Sequence, residues 1–402
     1  MKILHTSDLH LGKKLLHRDR LEEQMMVMDE IISIAEAEEV DLVLVAGDLF
    51  DNYSPSAAAQ KLMYSSLQRL ANDGKRPIIC IAGNHDSPER IESVEALADV
   101  SGIFLLGYPN SKTDNSIPHS HIKITKTDEG FMELTLPHIS YPIRIIHTPF
   151  ANHDRMKTFV DLDSPEAQLR TELQKKWQSL CNQYCNSDGV NILMSHLFVT
   201  NGKDDTSISE PDDENPIMAG GASAIYTENI PQEIQYTALG HLHRCFRLGT
   251  REIWYSGSPL EYSFAESEQD KFVLISNIEP NKKAETKKVA LTTGYKLVCK
   301  TFDCPNEACQ WLTDNPNVWV DLTIQTDEFL TAAQTKMIKD SHKRIVTLRP
   351  LVTNTKSDTI NGSNIAELIK DKDALFAKYF ETINGQSPNE EIMNLFHEIL
   401  AQ

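Results

Sequence analysis

The segment Leu42-Val43-Leu44-Val45-Ala46 is apolar at every position and runs directly into Gly47-Asp48. A strand with one wet face alternates apolar and polar residues, so an unbroken apolar run of this length is a strand covered on both faces. It requires a sheet with a packed layer on either side. Around it, Lys2–Thr6 and Pro77–Ala82 read as strands, and Leu21–Glu39 and Ser56–Ala71 as amphipathic helices. Met25, Met28, Ile31, Ile32 and Ala35 are the apolar positions of the first helix. The order β-α-β-α-β is that of an α/β sheet.

The rest of the chain carries weaker patterns. Alternation in His121–Thr125 and Glu133–Leu136 predicts an antiparallel hairpin, and Ser164-Pro165-Glu166 opens a helix that runs to Cys185. Strands are expected at Asn191–Met194, Tyr236–Leu239 and Lys271–Ser276, with a polar loop over residues 201–221. A break at Glu279-Pro280-Asn281-Lys282-Lys283 separates a small α+β region: strand Lys296–Phe302, helix Asn306–Thr313, strand Val318–Gln325, helix Glu328–Ser341 and strand Arg344–Leu348. The polar stretch Thr353–Ser363 reads as a linker. Beyond it, Ile365, Leu368, Ile369, Leu375, Phe376 and Phe380, then Ile392, Met393, Leu395, Phe396, Ile399 and Leu400, recur at helical spacing as two short amphipathic helices. The expected divisions are thus 1–278, 279–352 and 353–402.

Composition excludes more than it selects. No apolar run approaches the ~20 residues that span a bilayer. Met1-Lys2-Ile3-Leu4-His5 enters a strand without the apolar core of a signal peptide, so a cytoplasmic protein with no membrane partner is expected. Seven scattered cysteines, an odd number, point to reduced thiols; Cys80 reads as core, and Cys181 and Cys185 lack a second pair to make a metal knuckle. A formal net charge of −19 argues against a strongly basic nucleic-acid binder. It leaves room for a nuclease, because bound divalent cations bring positive charge to where a phosphate sits.

Five polar clusters each follow a strand: Asp8-Leu9-His10, Gly47-Asp48-Leu49-Phe50-Asp51, Gly83-Asn84-His85-Asp86, Met194-Ser195-His196 and Gly240-His241-Leu242-His243. In α/β sheets functional residues gather beyond the carboxyl ends of strands, so the five can share one crevice. Carboxylates, imidazoles and an amide carbonyl are what a pair of divalent cations wants, and two such ions can clamp a phosphate and acidify a water. Alternation along an extended backbone would turn Asp8 and His10 to one side, and likewise His241 and His243. The glycines at 47, 83 and 240 would let the chain turn sharply. Each cluster alone is ordinary; their order is not.

That order, D-x-H, G-D-x-x-D, G-N-H-D, H, G-H-x-H, resembles the calcineurin-like metallophosphoesterases. The stretches Ile3–Gly12, Ala46–Asp51 and Tyr255-Ser256-Gly257-Ser258-Pro259-Leu260 narrow the resemblance to the DNA-nuclease branch of that family. The resemblance implies a four-layer β-sandwich flanked by helices over 1–278, a small α+β capping domain that meets DNA, and C-terminal helices that dock a partner. It implies one metal on Asp8, His10, Asp48 and His243 and a second on Asp48, Asn84, His196 and His241, with two Mn²⁺ preferred and Mg²⁺ a substitute. His85 would then act on the leaving oxygen, Asp86 would orient His85 or its loop, and Asp51 would orient a ligand from behind. Relatives from archaea and eukaryotes carry a histidine where this chain has Asp51, so that histidine's role is not transferred. The implied activity is 3′→5′ double-strand exonuclease and hairpin or single-strand endonuclease action in DNA replication, recombination and repair. A coiled-coil ABC-type ATPase partner and a homodimer are also implied, the latter through the apolar positions Leu62, Met63, Leu67, Leu70, Ile91, Val94 and Leu97.

Lys13, Lys14, His17, Arg18 and Arg20 follow the first motif and are candidates for phosphate contacts, with Arg244 and Arg247 weaker ones. The acidic stretch Asp204–Glu214 would repel a duplex. Two other readings compete: a phosphodiesterase or phosphatase of the same family acting on a smaller substrate, and a binding subunit without catalysis. The extra domain and tail argue against the first, and the intact ligand set against the second.

Overall fold

The computed structural model describes residues 1–114, 121–156, 165–203, 205, 225–327 and 330–352, with scattered positions between 373 and 397. In chain order the elements begin β1 (Lys2–Thr6), α1 (Leu21–Ala37), β2 (Leu42–Ala46), α2 (Ala57–Leu70), β3 (Ile78–Ile81), α3 (Pro88–Glu92), α4 (Glu95–Asp99) and β4 (Ile103–Leu106). Next come β5 (Lys123–Asp128), β6 (Phe131–Thr135), β7 (Ile143–Thr148), α5 (His153–Met156), α6 (Pro165–Tyr184), β8 (Val190–His196), β9 (Val199–Thr200) and β10 (Ile225–Tyr226). The rest are β11 (Tyr236–Gly240), β12 (Phe246–Leu248), β13 (Ile253–Tyr255), β14 (Phe272–Asn277), β15 (Glu285–Ala290), β16 (Lys296–Phe302), α7 (Pro305–Asp314), β17 (Val318–Thr326), α8 (Ala332–Ser341) and β18 (Ile345–Val352).

Among the described residues, one sheet runs β15-β14-β1-β2-β3-β4 and a second β12-β13-β11-β8-β7-β6-β5; β16-β17-β18 form a third, smaller one. β1 to β4 are parallel, as are β7, β8, β11 and β13. Alternate residues of β2 face different layers. Val43 and Val45 pack with Met28, Ile31 and Ile32 of α1 and Met63 and Leu67 of α2. Leu42, Leu44 and Ala46 pack with Ile143, Ile145, Val190 and Ile192 of the second sheet. The far side of that sheet, at Ile146 and Leu193, is covered by Leu169, Leu173 and Trp177 of α6. The order helix, sheet, sheet, helix is the expected four-layer α/β sandwich. It explains why β2 tolerates no polar residue: each of its leucines and valines contributes about 1.5–3 kcal/mol by burial, on one face or the other.

Several local expectations are corrected. Met25 is exposed, and Val27 holds the buried position instead. The segment that carries Ile91, Val94 and Leu97 forms two short helices, α3 and α4, with Ser87 capping the first. Of the apolar positions set aside for self-association, Met63, Leu67, Leu70 and Ile91 are in the helix-facing core, and Leu62 and Val94 pack against it; Leu97 is exposed. Strands β4 and β7 lie where the sequence pattern predicts none, although both are fully buried. Cys80 is core, and Cys181 and Cys185 are free thiols.

The chain divides into two compact units. The first holds Met1–Lys300, Thr313–Leu322 and His342–Leu348, and the second holds Thr301–Leu312, Thr323–Ser341 and the described part of the remainder. In the second, Asn389 caps a turn by accepting from the N–H of Ile392. The Phe376 ring stacks on Phe396 at 4.0 Å, and His397 Nε2 lies 2.8 Å from Asp373 Oδ1, so the two apolar segments of the tail meet there. Ile365, Leu368, Ile369, Leu395, Ile399, Leu400, the linker, Ser164 and most of the loop at 201–221, with its acidic stretch, lie outside the described residues. No helix among the described residues is long and apolar enough to cross a membrane.

Candidate metal centre

The parallel strands β1, β2 and β3 of one sheet and β8 and β11 of the other present their carboxyl ends together. Just past them the chain tightens. Asp8 donates its N–H to Gly47 O (3.0 Å) and His10 to Asp48 O (2.9 Å). Asp8, His10, Asp48 and His241 take positive φ values of 52°, 41°, 49° and 99°. The extended backbone expected of Asp8–His10 is therefore not what turns both side chains inward; left-handed turns do it, each costing on the order of 1–3 kcal/mol. Such strain collects where a fixed side-chain geometry is needed. Two of the motif glycines also serve differently than expected, having no positive φ. A Cβ on Gly83 would lie 2.0 Å from Asp48 Oδ1, and one on Gly240 would lie 1.8 Å from Ala46 O. They are glycine because loops from different strands approach closely there.

The side chains converge on Asp48. Its Oδ1 accepts from the His85 N–H at 2.9 Å. Its Oδ2 is buried without a hydrogen bond, 3.3 Å from His196 Nε2 and 3.5 Å from His10 Nε2. His10 Nε2 and His243 Nε2 face each other at 3.0 Å. On the other side, Asn84 Oδ1 lies 2.9 Å from His196 Nε2 and 3.2 Å from His241 Nδ1. Asp8 belongs to both groupings: its carboxylate clusters with His10 and His243, and also with Asp48 and His196. All seven residues of the expected ligand set thus fall within one cluster.

The proton inventory shows what such a cluster wants. Ala46 O can only accept, so His196 Nδ1 at 2.8 Å is the protonated nitrogen. A neutral His196 then points a lone pair from Nε2 at two oxygen acceptors, Asn84 Oδ1 and Asp48 Oδ2. Acceptors face acceptors, and only a cation or an added proton resolves that. Burial alone would lower the His196 pKa, but Asp48 and Asp8 outweigh it and lift the group to about 9. Burial likewise works to raise Asp48, yet His196 and His10 hold it far below the usual carboxylate range. Two carboxylates, four imidazoles and an amide oxygen, already buried, fit divalent transition-metal ions, and divalent metal use follows from this donor set.

The remaining motif residues brace the site. Asp86 is fully buried, and its carboxylate accepts from Gly83, Leu49 and Phe50 N–H at 2.8, 2.9 and 2.9 Å. It ties the loop after β3 to the loop after β2 and is turned toward backbone, not toward a reacting group. Burial and the charge of Asp48 push it up to about 6 against those three donors. His85 gives Nδ1–H to Asp51 O at 2.9 Å, so it is the backbone of Asp51 that orients the ring; the Asp51 carboxylate clusters with His10 and His85. Two bracing residues escape a reading of the sequence. Arg155 donates to Gly83 O (2.7 Å) and Asp86 O (2.9 Å), gripping both ends of the Gly83–Asp86 loop. Glu266 accepts from His243 Nδ1 at 3.0 Å. Burial would raise the Glu266 carboxyl, but His243 and Lys271 outweigh it and hold it at about 2. Neither sits in a motif, and each becomes visible only when distant loops are brought together.

Of the basic residues after the first motif, Lys14, His17 and Arg18 are exposed, and Lys13 lies over the Tyr262 ring at 5.6 Å. Arg20 does not belong with them. It is buried, with its guanidinium held by Glu23 at 2.9 Å and by Glu261 O, while Glu23 also accepts from Trp319 Nε1 at 2.7 Å. It anchors α1 and is out of reach of a nucleic acid. Arg247 pairs with Glu252 at 3.3 Å, and Arg244 is exposed.

Comparison with known proteins identifies the family. The family model described as calcineurin-like phosphoesterase matches residues 1–279. The chain is 33% identical over 411 aligned positions to the SbcD subunit of the nuclease SbcCD from Bacillus subtilis (strain 168), covering 100% of this chain and 98% of that protein. Among solved structures, a dimetal phosphatase from Danio rerio matches 73% of this chain and 99% of its own at 12% identity and a TM-score of 0.38. A protein of Thermus thermophilus matches 71% and 98% at 12% identity and a TM-score of 0.36.

Proposed function

This chain belongs to the calcineurin-like phosphoesterases, and from that premise we propose that it is the nuclease subunit of an SbcCD-type complex, cutting DNA phosphodiester bonds with two divalent cations, manganese by preference. The observation that carries the hydrolytic reading is the convergence of ligand-type side chains on the buried Asp48 Oδ2, with His196 Nε2 at 3.3 Å and His10 Nε2 at 3.5 Å. The whole-length relative supports the nuclease reading over a small-substrate phosphatase.

In this reading Asp8, His10, Asp48 and His243 hold one cation, Asp48, Asn84, His196 and His241 hold the other, and Asp48 is shared. When bound, the pair supplies positive charge to the phosphoryl oxygens and acidifies the attacking water. The chain's own residues do the rest. His85, as the imidazolium with Nδ1–H fixed on Asp51 O, delivers its Nε2 proton to the departing sugar oxygen and is left neutral. Asp86 and Arg155 keep its loop in place. Lys13, Lys14, His17 and Arg18 meet phosphates beside the centre, which fixes the register of the duplex without reading its sequence. Residues 1–278 form the nuclease domain, and residues 279–352 a capping domain that touches DNA.

The direct test offers hairpin and blunt duplex DNA with manganese or magnesium, with and without an SbcC-type ATPase and ATP. Cleavage that needs manganese, stops with chelator and responds to ATP only when the ATPase is present is the expected result. Hydrolysis of small phosphodiesters with intact DNA left behind would favour the smaller-substrate reading.

Docking of the ATPase falls to the C-terminal segments. Short amphipathic helices are marginal alone in water, and the paired segments still leave Leu375 and Tyr379 exposed, a surface suited to lie against a coiled coil. A chain ending at Thr353 should keep its manganese-dependent nuclease activity yet fail to copurify with the ATPase. Unchanged affinity of the truncated chain for the ATPase would place the docking surface elsewhere.

A further inference from the structure

Histidines of the centre differ in what stands behind them. His196 and His85 turn Nδ1 to backbone carbonyls, those of Ala46 and Asp51. His243 turns Nδ1 to a carboxylate, Glu266 Oε1, at 3.0 Å. The other oxygen, Glu266 Oε2, lies 2.5 Å from Lys271 Nζ. The same ammonium donates to His243 O at 3.0 Å and to Ser258 Oγ at 2.9 Å, and Ser258 N–H donates to His243 O at 3.2 Å. Tyr262 N–H closes the ring of contacts on Glu266 Oε1 at 3.2 Å. Glu266, Lys271 and Ser258 are all buried. One ion pair therefore grips both the ring and the backbone of one histidine.

Such an arrangement is a poor device for stability, because burying two charges costs about as much as their attraction returns. It is a good device for fixing an imidazole. A carboxylate at Nδ1 keeps the proton there, so Nε2 presents its lone pair toward His10 Nε2, 3.0 Å away. It also makes that nitrogen a stronger donor than one backed by an amide carbonyl.

We propose that Glu266, held by Lys271, is a positioning residue that sets the affinity of one of the two cation positions through His243, leaving the position completed by Asn84 and His196 independent of it. This rests on the two-cation reading above. Calorimetric titration with manganese chloride tests it, since it reads the two binding events without any turnover. Relative to the unmodified chain, Glu266→Gln should weaken one event by about 10- to 100-fold and leave the other within about threefold. On a His243→Ala background the same substitution should add nothing, which separates action through His243 from a general loosening of the fold. If the single variant fails to fold, Glu266→Gln with Lys271→Met removes the stranded ammonium and should show the same one-site loss. Two unweakened events in a folded Glu266 variant, equal weakening of both, or further loss on the His243→Ala background would each overturn the role of Glu266. An unmodified chain that takes up no manganese would overturn the two-cation reading, and this proposal with it.

Discussion

Replacing Asp48 with alanine should end phosphodiester hydrolysis and empty both cation positions at once. The expectation follows from where its two oxygens go. Oδ2 lies between His10 Nε2 and His196 Nε2, which belong to the two halves of the cluster, while Oδ1 holds the backbone N–H of His85 at 2.9 Å. A single truncation removes the carboxylate that both halves face and frees the loop that follows β3. Each lost ion forfeits several kcal/mol of charge stabilisation, so a fall of on the order of 10³-fold or more in rate is the minimum expected. Asp48→Asn is the informative companion. It keeps an oxygen for His85 and tolerates the left-handed backbone at φ 49°, but removes the charge. If charge sharing is the point, the asparagine variant should be nearly as inactive as the alanine one, with both depleted of manganese by elemental analysis. Near-normal turnover in a clean preparation of either variant would refute a shared ligand.

How much of this is legible in the sequence depends on the range of the forces involved. β1 and β2 are found over the very residues expected; for β2 the reason is that an unbroken apolar run has one stable solution. Ser56 is readable as the start of α2 because its hydroxyl caps Ala59 N–H locally. β7 escapes notice although Ile143-Arg144-Ile145-Ile146 is strongly apolar. Arg144 interrupts the run, and its burial is tolerable because Glu133, 2.8 Å away on the paired strand β6, and Asn186 O and Asn191 Oδ1 receive its guanidinium. The backbone of the site is illegible for the same reason. Nothing local asks Asp8, His10 or Asp48 to adopt positive φ; the bonds from Asp8 to Gly47 and from His10 to Asp48 impose it from another strand. Arg20 looks like its basic neighbours and is instead an anchor, because its partners Glu23 and Glu261 O come from α1 and from a loop 241 residues away. The motif residues can be named in advance because their chemistry is specific. Their supports cannot, because a carboxylate such as Glu266 acquires its meaning only from what it faces.

His85→Ala should separate bond cleavage from cation binding. The His85 ring is held by Asp51 O through Nδ1, and its backbone N–H by Asp48 Oδ1; truncating the ring leaves the second of these bonds in place. The donors grouped around Asp48 Oδ2 are untouched, so manganese content should match that of the unmodified chain. Turnover of DNA should nevertheless fall by about 10²- to 10⁴-fold, the range associated with a positioned acid or base. The reason lies in the leaving group: a sugar alkoxide is a strong base and departs badly unless it is protonated as the bond breaks. A nitrophenolate departs without that help. Bis-p-nitrophenyl phosphate should therefore lose far less activity than DNA in the same variant, and the alkaline-side dependence of the DNA rate on pH, where a proton-donating imidazolium would be lost, should change with it. A proportional loss on both substrates would mean that the ring orders the site and does not deliver a proton. Loss of manganese from the variant would make His85 a ligand.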